Sequence, residues 1–270
     1  MIRLSQPARM DGRVFLVTGA SDGIGKHTAL RLAQTGATVL MHGRETNKLP
    51  QAVNEIFRET GNMCLEAYTA DLSTLSQVRA LSEEIHRKHG RLDVLVNNAG
   101  VFMPTRTETE DGYEMTFAVN VLAPFMLTSL LMDLLQAGDS SRIVHVSSAL
   151  HREYQTMIRI DELKDNNNNN NNNWTHSKGR QSYAQSKLCE VLYTYKMAEV
   201  LGKDANVTVN CLHPGRVNTN LLKQAWEGKK TGISLEEADL VFRAATDPAL
   251  DGVTGRYFED GKDTTSSDIS

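Results

Sequence analysis

Cysteine is scarce in this sequence. Its three cysteines, Cys64, Cys189 and Cys211, are far apart and odd in number, so no disulfide framework is expected. No Cys/His spacing marks a metal site, and none is expected. Isolated thiols fit a reducing compartment. An excess of one charge is also missing. A net charge of −4 and a pI of about 6.1 exclude a basic field for nucleic acid or for an anionic membrane. Long apolar runs are absent too. The longest candidate, "PFMLTSLLMDLL" (124–135), is interrupted by Thr128, Ser129 and Asp133, whereas crossing a bilayer takes about 18 apolar residues. No integral membrane segment is expected. The first ten residues lack an apolar core, which leaves no room for a signal peptide. A cytoplasmic protein is the expectation, and the glycosylation patterns at Asn173 and Asn206 are discounted on that ground.

What is present is an alternation of strand and helix patterns. At 270 residues, with 40% hydrophobic and 23% charged residues, the chain falls near the upper size of a single core. One domain over 1–270 is expected. Strand patterns occur at 13–19, 37–43, 64–70, 92–98, 142–148, 206–213 and 255–258. Helical spacing occupies 24–35, 47–60, 74–89, 112–136, 181–201 and 234–246. Such alternation predicts βαβ units and an α/β fold, a doubly wound parallel sheet of about seven strands with helices on both faces. Ligands of such sheets bind beyond the carboxyl ends of the strands. Residues 166–173 are eight consecutive asparagines. They and the polar end, about 260–270, are expected to be disordered.

Several strand ends carry chemistry. "TGASDGIG" (18–25) joins the first strand to the first helix. Gly19, Gly23 and Gly25 let the backbone turn tightly and approach a ligand. The helix behind them, opening through Ser21, Asp22 and Ile24, offers free N–H groups and a positive dipole to a pyrophosphate. The second strand ends in Gly43 and Arg44. A carboxylate there would bind the ribose hydroxyls of NAD, whereas a guanidinium suits a 2′-phosphate. NADP(H) is therefore preferred, with NAD(H) the alternative. In "YAQSK" (183–187), Tyr183 and Lys187 lie one helical turn apart and leave the same face. A phenol has a pKa of about 10, and a fixed ammonium nearby lowers it. Asn120 lies four residues before Pro124. Proline has no N–H, so the Asn120 carbonyl loses its helical partner, and water is the obvious replacement.

"TGASDGIG", "NNAG" (97–100), Asn120, "VSS" (146–148), "YAQSK" and "HPG" (213–215) occur together in the order of the short-chain dehydrogenase/reductase family, which the chain resembles over about residues 12–258. "GIGK", "DGYEM" (111–115) and the long insertion before "YAQSK" are similar to its retinol-dehydrogenase-like branch. The resemblance implies a Rossmann-type fold. It implies that Tyr183 exchanges a proton with the substrate oxygen, and that Lys187 tunes Tyr183 and grips the nicotinamide ribose. Ser148 would hold the oxygen, with Ser147 its competitor, and the Asn120 carbonyl would hold a relay water. Asp71, with Leu72 beside it, would meet the adenine, although Asp71 also suits a helix cap. Asn98, Ala99 and Gly100 would let the cofactor pass, while Asn98 also suits support of the sheet. Pro214, Gly215, Val217 and Thr219 would frame the carboxamide. Many NADP-preferring relatives carry a basic residue where this chain has Asp22.

The expectation is an NADP(H)-dependent oxidoreductase interconverting a ketone or aldehyde and an alcohol. Phe102, Met103, Leu150 and Trp226 suggest an apolar small-molecule substrate. A non-catalytic nucleotide sensor of the same fold is the alternative from another class. The stretch from 220 to 234 reads as a lid over the substrate or as a simple surface loop. Family members often form homodimers through the two long helices, here 112–136 and 181–201.

Overall fold

The structure is a computed structural model that describes residues 8–153, 176–203, 205–221, 234 and 239–266. The asparagine run and nearly all of the expected lid, Trp226 included, lie outside these residues.

Eight strands form one sheet: β1 (Val14–Val17), β2 (Thr38–Gly43), β3 (Leu65–Thr69), β4 (Val94–Asn97), β5 (Ser141–Val146), β6 (Val207–Leu212), β7 (Tyr257–Glu259) and β8 (Lys262–Asp263). Their spatial order is β3-β2-β1-β4-β5-β6-β7-β8. The first seven pair in parallel, and β8 is antiparallel to β7. From β1 the chain builds outward through β2 and β3. It then returns to the other side of β1 with β4, which makes a topological switch point between those two strands.

Period-2 alternation divides each strand between two cores. Phe15 and Val17 of β1 join Val39, Met41, Val94 and Val96 on one face. That face is covered by α1 (Gly23–Gln34), α2 (Lys48–Thr60) and, near the carboxyl end of the described chain, the short helix α8 (Leu240–Thr246). Leu16, Leu40, Leu95 and Ile143 point the other way, toward α3 (Leu75–Lys88) and α5 (Ala123–Leu130). The helices bury residues at helical spacing: Leu49, Ala52 and Ile56 in α2, and Val78, Leu81 and Ile85 in α3.

Four expectations differ. The sheet has an eighth strand, a two-residue edge too short to read as a pattern. The helix expected over 112–136 is broken. It runs as α4 (Met115–Phe117), a π-turn (Ala118–Leu122), α5 and α6 (Met132–Gln136). The helix carrying Tyr183, α7 (His176–Leu201), starts a turn earlier than its periodicity implied. The tail is ordered through Ser266. Tyr195 donates to the Ser266 hydroxyl at 2.8 Å, and Arg152 donates to the carbonyls of Thr265 and Ser266.

Candidate active site

A cavity of about 620 Å³ opens at the carboxyl ends of the strands. The first turn after β1 forms one wall. Gly19 and Gly23 have φ of +67° and +55°, which side-chain-bearing residues rarely adopt. Gly25 is held for a different reason. A Cβ there would run into the Gly19 carbonyl and the Asn98 amide. Asn98 donates to the Thr18 carbonyl at 2.8 Å, while the Thr18 hydroxyl accepts from the Asn98 and Ala99 N–H groups, each at 3.0 Å. Asn98 therefore ties the ends of β1 and β4 together, as well as lining the cavity. Ser21, Asp22 and Ile24 also line it. Asp22 caps α1 by accepting from the Gly23 N–H at 2.7 Å, and its second oxygen accepts from Asn220 at 2.7 Å.

Arg44 leaves the end of β2 exposed in the cavity wall. Among the described residues it pairs with no carboxylate, whereas its neighbour Glu45 is held by Lys48 at 2.9 Å. Asp71 and Leu72 line the same end, and Ala99 and Gly100 the middle. Asp71 does not cap α3. It accepts from the Ser73 N–H at 2.9 Å, and the Leu75 N–H is met instead by Asp111 at 2.8 Å. Pro214, Gly215, Val217 and Thr219, which follow β6, close another wall of the cavity.

Tyr183 and Lys187 leave the same face of α7 and reach this cavity. The Lys187 Nζ lies 5.6 Å from the Tyr183 ring centre. It donates to the Val146 carbonyl at 2.9 Å. Of the two serines after β5, Ser147 turns inward and donates to the Lys187 carbonyl at 2.9 Å. Ser148 lines the cavity with Tyr183 and favours the ionised form of the Tyr183 hydroxyl, so it is the serine beside the phenol. Asn120 is fully buried in the π-turn. Its amide spans Val101 and Ser186: Oδ1 accepts from the Val101 N–H at 2.8 Å, and Nδ2 donates to the Ser186 hydroxyl at 3.0 Å. Pro124 offers its carbonyl no N–H. The structure thus brings all four expected catalytic positions to one end of the sheet.

Residues 13–158 match the family model for short chain dehydrogenases. Human retinol dehydrogenase 14 is 36% identical over 97% of this chain and 82% of its own length. Human polyprenol dehydrogenase is 36% identical over 98% of this chain and 81% of its own. The chain belongs to the short-chain dehydrogenase family. Within this oxidoreductase family it is retinol-dehydrogenase-like. A short chain dehydrogenase structure from Pseudomonas syringae superposes with a TM-score of 0.77 at 26% identity, covering 94% of this chain and 96% of that one. Another, from Escherichia coli CFT073 and complexed with NADPH, has a TM-score of 0.74 at 27% identity, covering 94% and 98%. The glycine cradle, the opening of α1 and the exposed Arg44 guanidinium in the cavity wall fit a nicotinamide dinucleotide.

The electrostatics of this short-chain dehydrogenase depart from one expectation. Lys187 does not leave the Tyr183 hydroxyl below its ordinary range. Burial drives the phenol up, Lys187 and Ser148 pull it down, and Glu190 adds to the rise, so the balance is upward. Glu190 was missed because the sequence does not say that it is buried. Three more residues escaped for want of a local signal. His42 sits under the glycine turn, its Nε2 donating to the Ala70 carbonyl at 3.0 Å and its Nδ1 facing the Gly19 N–H at 3.4 Å. Burial lowers its pKa to about 4, so the ring is neutral. Glu114, inside "DGYEM", is 1% exposed; it caps α4 and accepts from Ser182, beside Tyr183, at 2.9 Å. At the cavity rim Arg180 grips Glu153 with two nitrogens. Phe102 meets the Tyr183 ring edge-on at 5.9 Å and clusters with Leu150, Ala184 and Leu221.

Proposed function

We propose that this chain is an NADP(H)-dependent oxidoreductase that interconverts a carbonyl and an alcohol. The observation that carries the reading is the convergence of Tyr183, Lys187 and Ser148 on the cavity that the glycine turn opens. A bound nicotinamide dinucleotide supplies the hydride in reduction and accepts it in oxidation. In reduction the Tyr183 hydroxyl gives its proton to the substrate oxygen as the carbon gains hydride, and solvent returns a proton to Tyr183. Ser148 steadies the developing charge on that oxygen. Lys187 favours the phenolate left behind and orients the ribose. The Asn120 carbonyl, denied an i+4 N–H by Pro124, is suited to hold the water that reconnects the site to solvent.

Arg44 supports NADP(H) over NAD(H), as a guanidinium that pairs with no carboxylate among the described residues and stands where a ribose 2′-phosphate would lie. The NADPH complex of the Escherichia coli relative supports the same choice. Asp22 works against it by adding a negative charge at the α1 N-terminus. Leu150 and Leu221 in the cavity wall, with Phe102 packed behind them, support an apolar substrate. Retinol and polyprenol, in the names of two relatives, are apolar alcohols. The test mixes NADPH with a panel of apolar aldehydes and ketones and follows the loss of NADPH absorbance. Tyr183→Phe is expected to lower turnover by about 100-fold or more while NADPH still binds. Binding without turnover of any substrate would replace the enzyme with a nucleotide sensor.

A further inference from the structure

Behind Lys187 lies a carboxylate that the proposed reaction does not use. Glu190 is one turn along α7 and 3% exposed. Both of its oxygens meet the Lys187 Nζ, at 2.8 and 3.1 Å. Glu190 does not line the cavity. Its partner ammonium does, and stands over the Tyr183 ring. A lysine whose task is to offer positive charge to a phenol is thus held by a counter-charge on its far side. Water screens this only weakly, because all three side chains are buried and Tyr183 and Lys187 meet solvent only through the cavity.

We propose that Glu190 is a positioning residue for Tyr183: it fixes the Lys187 ammonium between itself and the Val146 carbonyl and offsets its charge, so that Tyr183 remains a protonated donor. This rests on the roles proposed above for Tyr183 and Lys187. Other groups surround the pair. Cys189 and Tyr193 flank Glu190 on α7, and Cys211 approaches from β6. His145 approaches from β5, where burial and Lys187 keep it neutral, and Tyr193 shares a hydrogen bond with it at 2.8 Å. Glu114 at α4 faces Ser182, His151 lies in the 3-10 turn Ala149–Glu153, and the π-turn contributes only the neutral Asn120 amide. Lys187 is the only one of these groups that holds Glu190 by an ion pair among the described residues. Burial pushes the Glu190 carboxyl up to about 7 against the pull of Lys187, so the offset is complete only above neutral pH.

The experiment titrates Tyr183 directly. Tyrosine labelled with 13C at Cζ is introduced, and the Tyr183 resonance is assigned by its loss in Tyr183→Phe. In Glu190→Gln the midpoint is expected to fall by about one pH unit, since an opposing charge next to the lysine is gone. Glu190→Met, which buries no amide, should move it the same way, and Glu190→Asp should restore the wild-type value. If turnover is found, the pH profile of kcat/KM for alcohol oxidation should move by the same amount. An unchanged or raised midpoint in the neutral variants overturns the proposal, as does a fold that survives only with a carboxylate at 190. The resonance is read without turnover, so a chain inactive on every substrate defeats the functional reading and still leaves this one to be decided.

Discussion

His42 and His145 are fully or almost fully enclosed, with 2% and 0% exposure. Burial is the main force on each ring, lowering the pKa to about 4 and about 3. An imidazole released by unfolding titrates near 6.5. The neutral ring is therefore the form that the fold accepts. Each contributes stability that is fully present above pH 6.5 and lost as pH falls toward the folded value. For His42 the difference of about 2.5 in pKa corresponds to about 3 kcal/mol. Glu190 runs the other way: its raised pKa makes the carboxylate costly, so the penalty present above about pH 7 is relieved as pH falls toward 4.5. The wild-type curve sums these opposing slopes, and a variant isolates one. Urea unfolding of His42→Gln at pH 7.5 and 4.5 should show an acid-induced loss smaller than wild type by about 2–3 kcal/mol. Equal losses would mean that His42 is protonated in the fold. Nothing in the sequence marks His42 as enclosed, since "MHG" at a strand end equally suits an exposed imidazole. The i,i+4 pair of Tyr183 and Lys187 was legible because one helical turn fixes it. Glu190 had equally local spacing, but its weight depends on burial, which spacing does not report.

At the scale of elements, local periodicity marked nearly every strand and helix, because each buries one face against the sheet. It failed where a break depends on hydrogen bonding rather than on polarity. The stretch 112–136 is apolar enough to read as one helix. Inside it Pro124 removes an N–H, and the chain takes up the defect as a π-turn with Asn120 at its centre. The proline is visible in the sequence; the extra residue per turn is not. The tail misled in the opposite sense, because polar residues are held there by Arg152 and Tyr195 from distant elements. Helix α7 is aimed by two contacts ahead of Tyr183. Glu114 accepts from Ser182, and Gly179 passes so close to the Met103 carbonyl that a Cβ there would overlap it. Gly179→Ala should therefore push the first turns of α7 away from Met103 and Pro104. The expected cost is about 1–3 kcal/mol, the range for overpacking. Turnover should drop more than NADPH affinity, because Tyr183 lies one turn on while the glycine cradle belongs to another element. Urea unfolding and NADPH titration of the variant check both parts. A variant as stable and active as wild type would show that the loop yields without moving the helix.

Across the whole molecule, the strand order explains why residues so far apart in sequence share one cavity. The chain reverses direction of growth at β1 and β4, and the crossovers that follow diverge there, leaving a crevice at their carboxyl ends. The glycine turn follows β1, Arg44 follows β2, Asp71 follows β3, Asn98 follows β4, Ser148 follows β5 and Pro214 follows β6. A ligand spanning that crevice touches every βα connection, so its binding stabilises the sheet as a unit rather than one loop. At 100 times its Kd, such a ligand adds about 2.7 kcal/mol. For a chain of this size that corresponds to a rise in Tm of about 5–10 °C. The proposed preference assigns part of the effect to Arg44. Arg44→Ala, compared at the same NADP concentration, should lose about tenfold in affinity, which leaves about half of the stabilisation. The shift with NAD should not change, because NAD presents no 2′-phosphate to that guanidinium. Differential scanning fluorimetry of both proteins with both nucleotides gives the four numbers. An undiminished NADP shift in Arg44→Ala would remove the arginine from nucleotide selection, and Asp22, capping α1 with a carboxylate beside the same site, would then favour NAD.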